Sequence, residues 1–238
     1  HVLFRRQRQM CIRDRIYDAE HFFDGYKDSP EHALATLTAA KEGGADWVVL
    51  CDTNGGTMPH EAGKITEIVM REIGIPVGIH THNDTGVAVA NALASVNSGA
   101  TQVQGTVNGY GERVGNCNLT TVIPNLQLKM DRPVIEDVSR LTHLAHFVDD
   151  LANCSHNIRA PYVGATAFAH KGGMHVNAVQ KVAHSFEHIE PKTVGNRQRI
   201  LVSELSGQSN VLMKAEELGL PVEKCSPEAM AILQDLKE

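Results

Sequence analysis

Short apolar runs that end in polar residues alternate with helix-like segments from Ile16 to about Met130, and this alternation leaves few folds open. "GADWVVLCDTNG" (44–55), "IPVGIHTHND" (75–84) and "GATQVQGTVNGYGER" (99–113) are three such runs. Each follows a helix-like segment closed by glycine, at Gly43-Gly44, Gly74 and Gly99. Glycine just past a helix end takes the left-handed stop at no steric cost. Ser29-Pro30 reads as a helix start, with serine as N-cap and proline in the first turn. "HEAGKITEIVMREIG" places Ile65, Ile68, Val69 and Ile73 on one helical face. A β/α period of roughly 25 to 35 residues predicts a parallel sheet.

Four strand units can be read, ending near Glu20, Thr53, His82 and Thr106. Their polar residues gather at the carboxyl ends: Glu20, Asp52-Thr53, His80 to Asp84, and Asn108 to Arg113. In a (β/α)8 barrel that end carries the chemistry. A doubly wound sheet would also bind ligands there, but no GxGxxG opens a helix after a first strand. Four units make half a barrel. After Met130 the rhythm gives way to helices. "PVIEDVSRLTHLAHFVDDLANC" (133–154) reads as one long amphipathic helix with Val138, Leu141, Leu144, Val148 and Leu151 inward. Two more helices follow, the last capped by Ser226 ahead of Pro227. The expected organisation is a half barrel over 16–130 and a linker with helical subdomain over 131–238.

Residues 1–15 stand apart. They carry Arg5, Arg6, Arg8, Arg13 and Arg15 against Asp14 alone. Removing them takes the balance from 22 basic and 28 acidic residues to 17 and 27, a change from −6 to −10. The stretch lacks the apolar core and cleavage site of a targeting peptide, and "QMCIRDR" reads as extraneous sequence. The acidic balance argues against nucleic acid. No apolar run approaches the roughly 20 residues that span a membrane. Five cysteines without a CxxC pair suit a reducing cytoplasm.

Thirteen histidines are the unusual feature of the composition. His80 and His82 stand at i and i+2 of a strand, so both leave the same face. Such a pair is either two hydrogen-bonded imidazoles or half of a metal site. Asn83 and Asp84 follow, and strands of the same sheet end in Asp52 and Glu20, which favours a polar, metal-holding pocket. Mixed nitrogen and oxygen donors suit Mn, Mg, Zn or Fe alike. In "GYGERVGNCNL" (109–119) three glycines let the chain turn sharply and present Glu112, Arg113 and Asn116. The alternative is an ordinary strand-to-helix loop with Asn118 as cap and a local Glu112–Arg113 ion pair. "FAHKGGMHVNAV" (168–179) sets His170 and His175 about a glycine pair in a long loop, the length of a lid or insertion.

Five ordered motifs, "DAEHFFDGY", "LCDTNG", "HTHND", "GTVNGYGERVGN" and "FAHKGGMHV", resemble the metal-dependent enzymes that condense acyl-CoA with 2-oxo acids. These are the 2-isopropylmalate, citramalate and homocitrate synthases, related through their barrel to hydroxymethylglutaryl-CoA lyase. The likeness runs from Ile16 to Glu238, and "DAEHFFDGYK", "HKGGMHV" and "VSELSGQSN" look most like the citramalate branch. It implies the C-terminal half, strands 5–8, of a (β/α)8 TIM barrel followed by a helical appendage, in a chain truncated at its N-terminus. It also implies a divalent metal (Mn, Mg or Zn), acetyl-CoA as co-substrate and a 2-oxo acid, most simply pyruvate. A homodimeric parent in the cytoplasm, serving branched-chain amino-acid biosynthesis, would follow.

The same resemblance assigns roles. His80, His82 and Asn116 would surround the metal. Glu20 matches an active-site glutamate on strand five, and Thr53 a threonine that binds the substrate carboxylate. Asn108, Glu112 and Arg113 would line the substrate side. His175 matches an appendage histidine that takes part in acid–base chemistry and reaches the other chain's site. Asn177 stands where some relatives carry aspartate. The family's Arg-Asp pair on the first strand has no counterpart on a strand here; Arg13-Asp14-Arg15 only imitates it. The residues that size the keto acid would lie largely on strands this chain lacks, so 2-isopropylmalate or homocitrate synthase stays open beside the citramalate reading. A non-catalytic fragment, itself inactive, is the reading from another class.

Overall fold

The computed structural model describes residues 14–172, 178, 182, 185–202, 206–224 and 226–236. The chain divides into two compact units, one ending at Arg132 and the other beginning at Pro133.

In the first unit four strands, β1 (Ile16–Ala19), β2 (Trp47–Asp52), β3 (Val77–Thr81) and β4 (Gln102–Gln104), pair in parallel in chain order. Between them run α1 (Phe22–Asp28) and α2 (Pro30–Glu42), then α3 (Pro59–Ile73), then α4 (Ala88–Asn97), and α5 (Leu119–Lys129) follows β4. These are four consecutive β/α units of a (β/α)8 barrel, as the alternation predicts. The chain enters the sheet at Arg15, whose carbonyl accepts from the amides of Asp46 and Trp47 at 2.8 and 3.2 Å.

Strand alternation sorts the side chains by face. Ala19, Val48, Leu50, Val77 and Ile79 join the core formed with the helices. Ile65, Val69 and Ile73 of α3 are buried against it, with Ile68 half-buried. Helices α3 and α4 pack closely, with Thr66 Oγ1 donating to Ser95 Oγ at 3.1 Å. The opposite face carries Val49, Gly78 and Gln102 in register. A Cβ on Gly78 would meet Gln102 Oε1 at 2.7 Å and Val49 Cγ2 at 2.9 Å, so the strand needs glycine two residues before His80.

The expected stops and caps are largely present. Gly74 closes α3 in the left-handed region, and Asn118 accepts from the Thr120 amide to cap α5. Helix α2 begins at Pro30 behind Ser29, although the serine hydroxyl makes no capping bond.

The second unit contains α6 (Leu141–Leu151), a parallel pair β5 (Ala169–His170) and β6 (Arg199–Ile200), α7 (Gln208–Glu217) and α8 (Pro227–Asp235). The long helix expected over 133–154 is only eleven residues, and its inward face differs from the expected one. Val138 and Leu141 are buried, but Leu144 and Leu151 are 40% and 71% exposed. The buried stripe is instead Leu141, Thr142, Ala145 and Asp149. Its small residues let neighbouring backbone approach: Thr142 Oγ1 donates to the Val194 carbonyl at 2.7 Å. Ser226 caps α8 through the Ala229 amide, as its sequence suggests. No helix among the described residues is long and apolar enough to cross a membrane.

Candidate active site and metal position

The segment Gly78–Asp84 gives each of its polar residues a separate task. His80 and His82 leave β3 on the face away from the helices, and their rings stack with centroids 5.3 Å apart and planes 29° apart. Thr81, between them, points to the helix side and donates from Oγ1 to the Ala88 carbonyl at 2.9 Å. Asn83 Oδ1 accepts from the Ala88 amide at 3.2 Å, which ties the start of α4 to the strand. Asp84 accepts both contacts of a forked guanidinium, from Arg113 Nε at 2.7 Å and Nη2 at 2.8 Å.

The glycine-rich loop then brings Asn116 back. The Asn116 amide donates to the Gly109 carbonyl at 3.0 Å, and Asn116 forms an isolated antiparallel bridge with His82. Cys117 donates its amide to Thr81 and accepts from Thr106, so residues 116–118 lie between the tips of β3 and β4. The turn depends on Gly115, at φ +99, where a Cβ would collide with the Gly109 carbonyl oxygen. Asn108 and Arg113 adopt positive φ as well, at 61° and 60°.

As a result the Asn116 side-chain amide sits 3.3 Å from His80 Nε2. Two buried polar atoms here lack a hydrogen-bond partner among the described residues: His82 Nδ1 and Asn116 Oδ1. Burial, helped by the neighbouring His80 and Arg113, holds the His82 imidazole below its usual pKa. Imidazole nitrogens and an amide oxygen are donors that a divalent ion accepts. Among the described residues no three His, Cys, Asp or Glu side chains group as a metal site, so the set here is two imidazoles and one amide. The orphaned atoms fit a metal better than they fit a closed hydrogen-bond network.

Glu20 and Thr53 meet at the tips of β1 and β2. Thr53 Oγ1 donates to Glu20 Oε2 at 2.8 Å and accepts from the His21 amide at 2.8 Å. The hydroxyl proton is therefore committed to the carboxylate. Arg113 spans to the same tip, with Nη2 donating to the Thr53 carbonyl at 2.7 Å. The local Glu112–Arg113 pair of the alternative reading is not what forms: Arg113 pairs with Asp84, and Glu112 is exposed. Asn108 lies half-buried in the 3-10 turn Val107–Gly109. His175 lies outside the described residues.

Asp52 does not join this face. It is 1% exposed on the helix side, where it accepts from Thr57 Oγ1 at 2.9 Å and Asn91 Nδ2 at 3.4 Å. One residue of strand register separates it from the imidazoles. The sequence reading also passed over Asp18 and Gln104. Gln104 Oε1 lies 2.8 Å from His80 Nδ1, and Gln104 Nε2 donates to Asp18 Oδ1 at 2.9 Å. Period two was the available signal: Asp18 precedes Glu20, and Gln104 precedes Thr106, by two residues.

Comparison with known proteins identifies the family. The HMGL-like family matches residues 6–148, beginning inside the segment set apart on sequence. The homocitrate synthase post-HMGL domain-like family matches residues 162–238. The (R)-citramalate synthase of Synechocystis sp. is 52% identical, aligned over 94% of this chain and 43% of that protein. The (R)-citramalate synthase of Aquifex aeolicus is 54% identical, over 95% of this chain and 44% of that protein. A probable 2-isopropylmalate synthase of Methanopyrus kandleri is 38% identical, over 84% of this chain and 40% of that protein. The chain thus spans less than half the length of these curated relatives.

Proposed function

We propose a function on one premise: the chain belongs to the HMGL-like family. The whole protein of which this chain is a part condenses acetyl-CoA with a 2-oxo acid, and with pyruvate in particular, to give citramalate. The observation that carries the reading is the stacked His80–His82 pair with the Asn116 amide against it, one strand from the Glu20–Thr53 pair. The pyruvate branch is supported by the higher identity to named citramalate synthases than to a probable 2-isopropylmalate synthase.

His80, His82 and Asn116 would hold a divalent ion, a reading supported by the orphaned His82 Nδ1 and Asn116 Oδ1 beside the His80 ring. What such an ion supplies is Lewis acidity towards the carboxylate and keto oxygens of the 2-oxo acid. Glu20 would hold or move a proton, a role supported by the Thr53 hydrogen bond that fixes the orientation of its carboxylate. Thr53, Asn108, Glu112 and Arg113 line the substrate side. Arg113 would act there through its grip on Asp84 and the Thr53 carbonyl. In the overall reaction a proton leaves the methyl of acetyl-CoA and a C–C bond forms to the keto carbon. Water then cleaves the thioester and releases free CoA. In a homodimer, the partner's His175 would complete the acid–base set.

The test follows free thiol released from acetyl-CoA by the whole protein. Release that depends on Mn²⁺ or Mg²⁺, prefers pyruvate to 2-oxoisovalerate and vanishes in His82→Ala is the expected result. A preference for 2-oxoisovalerate overturns the citramalate branch. The 238-residue chain alone should release none, because β1 and β4 each have an unpaired edge among the described residues.

A further inference from the structure

We propose that Gln104, oriented by Asp18, fixes His80 in its Nδ1–H form and so makes Nε2, on the Asn116 side, the nitrogen that carries the lone pair. Gln104 is then a positioning residue, and three strands supply the relay: β1, β4 and β3.

The direction follows from the chemistry of each group. An ionised carboxylate only accepts hydrogen bonds. Asp18 Oδ1 lies 2.9 Å from one end of the Gln104 amide, so that end is the NH2. The other end is then the carbonyl, and it lies 2.8 Å from His80 Nδ1. A carbonyl oxygen cannot donate, so Nδ1 carries the proton. In a neutral imidazole the second nitrogen is then unprotonated. The surroundings of Nε2 agree, since its neighbour at 3.3 Å is the Asn116 NH2, a donor facing a lone pair.

Register makes the contact direct. His80 and Gln104 are paired positions of β3 and β4 and share a face. His82 has no such support: its Nδ1 is buried without a hydrogen-bond partner. The two imidazoles are therefore unequal, one with its tautomer set by the sheet and one left to be set by what binds. Outer partners that fix a ligating histidine typically change metal affinity about 10- to 100-fold. That consequence rests on the metal reading given above, whereas the tautomer itself does not.

Long-range 1H–15N spectra of the full chain, labelled with 15N-histidine and recorded near pH 8 without metal, read the tautomer directly. The His80 signal is identified by its loss in His80→Ala. The expected result is a protonated Nδ1 and an unprotonated Nε2. Gln104→Leu should shift the population toward Nε2–H and weaken Mn²⁺ binding about 10- to 100-fold. Asp18→Asn, which frees the amide to turn, should move the tautomer in the same direction by less. The double variant Asp18→Asn with Gln104→Glu retains a donor–acceptor pair and an acceptor opposite His80 and should retain Nδ1–H, which guards against a leucine variant that fails to fold. A His80 that is mainly Nε2–H in the unaltered chain overturns the proposal. So does a tautomer unmoved by Gln104→Leu in a folded protein. If the unaltered chain shows the expected tautomer but binds no Mn²⁺, the relay stands and the metal reading falls.

Discussion

Asp18 and Gln104 stand on opposite edges of the sheet, yet Gln104 Nε2 donates to Asp18 Oδ1 across 2.9 Å. In a flat sheet three strand spacings would separate their backbones by about 14 Å. Their side chains meet because the four strands curl about the face that carries the imidazoles. The curl belongs to a barrel wall, and it brings residues 86 positions apart into contact across the four described strands of this sheet.

Asp84 should keep its charge unusually far into acid. The Arg113 hydrogen bonds hold its carboxyl below the ordinary carboxylate range. A depressed folded pKa contributes stability that is present above the unfolded value, near pH 4, and is lost as pH falls through the lower folded value. The Arg113–Asp84 fork should therefore persist at pH 4. Carboxyl 13C shifts should show Asp84 titrating below the exposed aspartates, and Arg113→Ala should return it to their range.

Asp52→Ala should destabilise the fold by about 1–3 kcal/mol, because Thr57 and Asn91 lose a buried acceptor. Mn²⁺ affinity measured by calorimetry should not change in the folded variant, since Asp52 lies on the far face from His80 and His82. A large loss of metal binding with normal stability would place Asp52 in the site.

Gly115→Ala should affect both stability and site. The backbone at φ +99 disfavours a side chain, and the new Cβ meets the Gly109 carbonyl oxygen. Strain of this kind costs about 1–3 kcal/mol. Because Gly109 also accepts from the Asn116 amide, the loop must move and take Asn116 with it. Denaturant melts should show the loss, and Mn²⁺ binding should weaken in parallel. Gly86→Ala, at φ +76 with open space around it, should cost stability alone.

Cys51 and Cys117 should resist alkylation until the protein unfolds. Burial, with some help from Asp18 and Glu20, pushes the Cys51 thiol up to about 12. Burial pushes Cys117 up to about 11. At pH 8 neither has appreciable thiolate, which is the reactive form. Peptide mapping after brief iodoacetamide treatment should find Cys154, which is exposed, modified and these two spared. Denaturant should abolish the difference.

The β/α order, the glycine stops and the same-face histidines were legible because each is a local property of the chain. Period two put His80 and His82 together, and that needed no knowledge of neighbours. Asp52 was misplaced because its position at a strand end was weighed and its parity was not. Gln104 and Asp18 were missed for a different reason. A glutamine on an edge strand reads as solvated, and only the curl of the sheet gives it a partner. The inward face of α6 was misjudged because Leu144 and Leu151 are large and apolar, while the buried stripe runs through Thr142 and Ala145, with the Val194 carbonyl against Thr142.

One guanidinium touches two strand tips and issues from the loop after a third. Arg113 reaches Asp84 beyond β3 and the Thr53 carbonyl beyond β2, and it follows β4 in the chain. These loops cannot loosen one at a time without breaking a shared contact, so they should open as one cooperative unit. In native-state hydrogen exchange the amides of Asn83, Thr85 and Gly115 should therefore report a common opening free energy, and Arg113→Ala should split it into separate, lower ones.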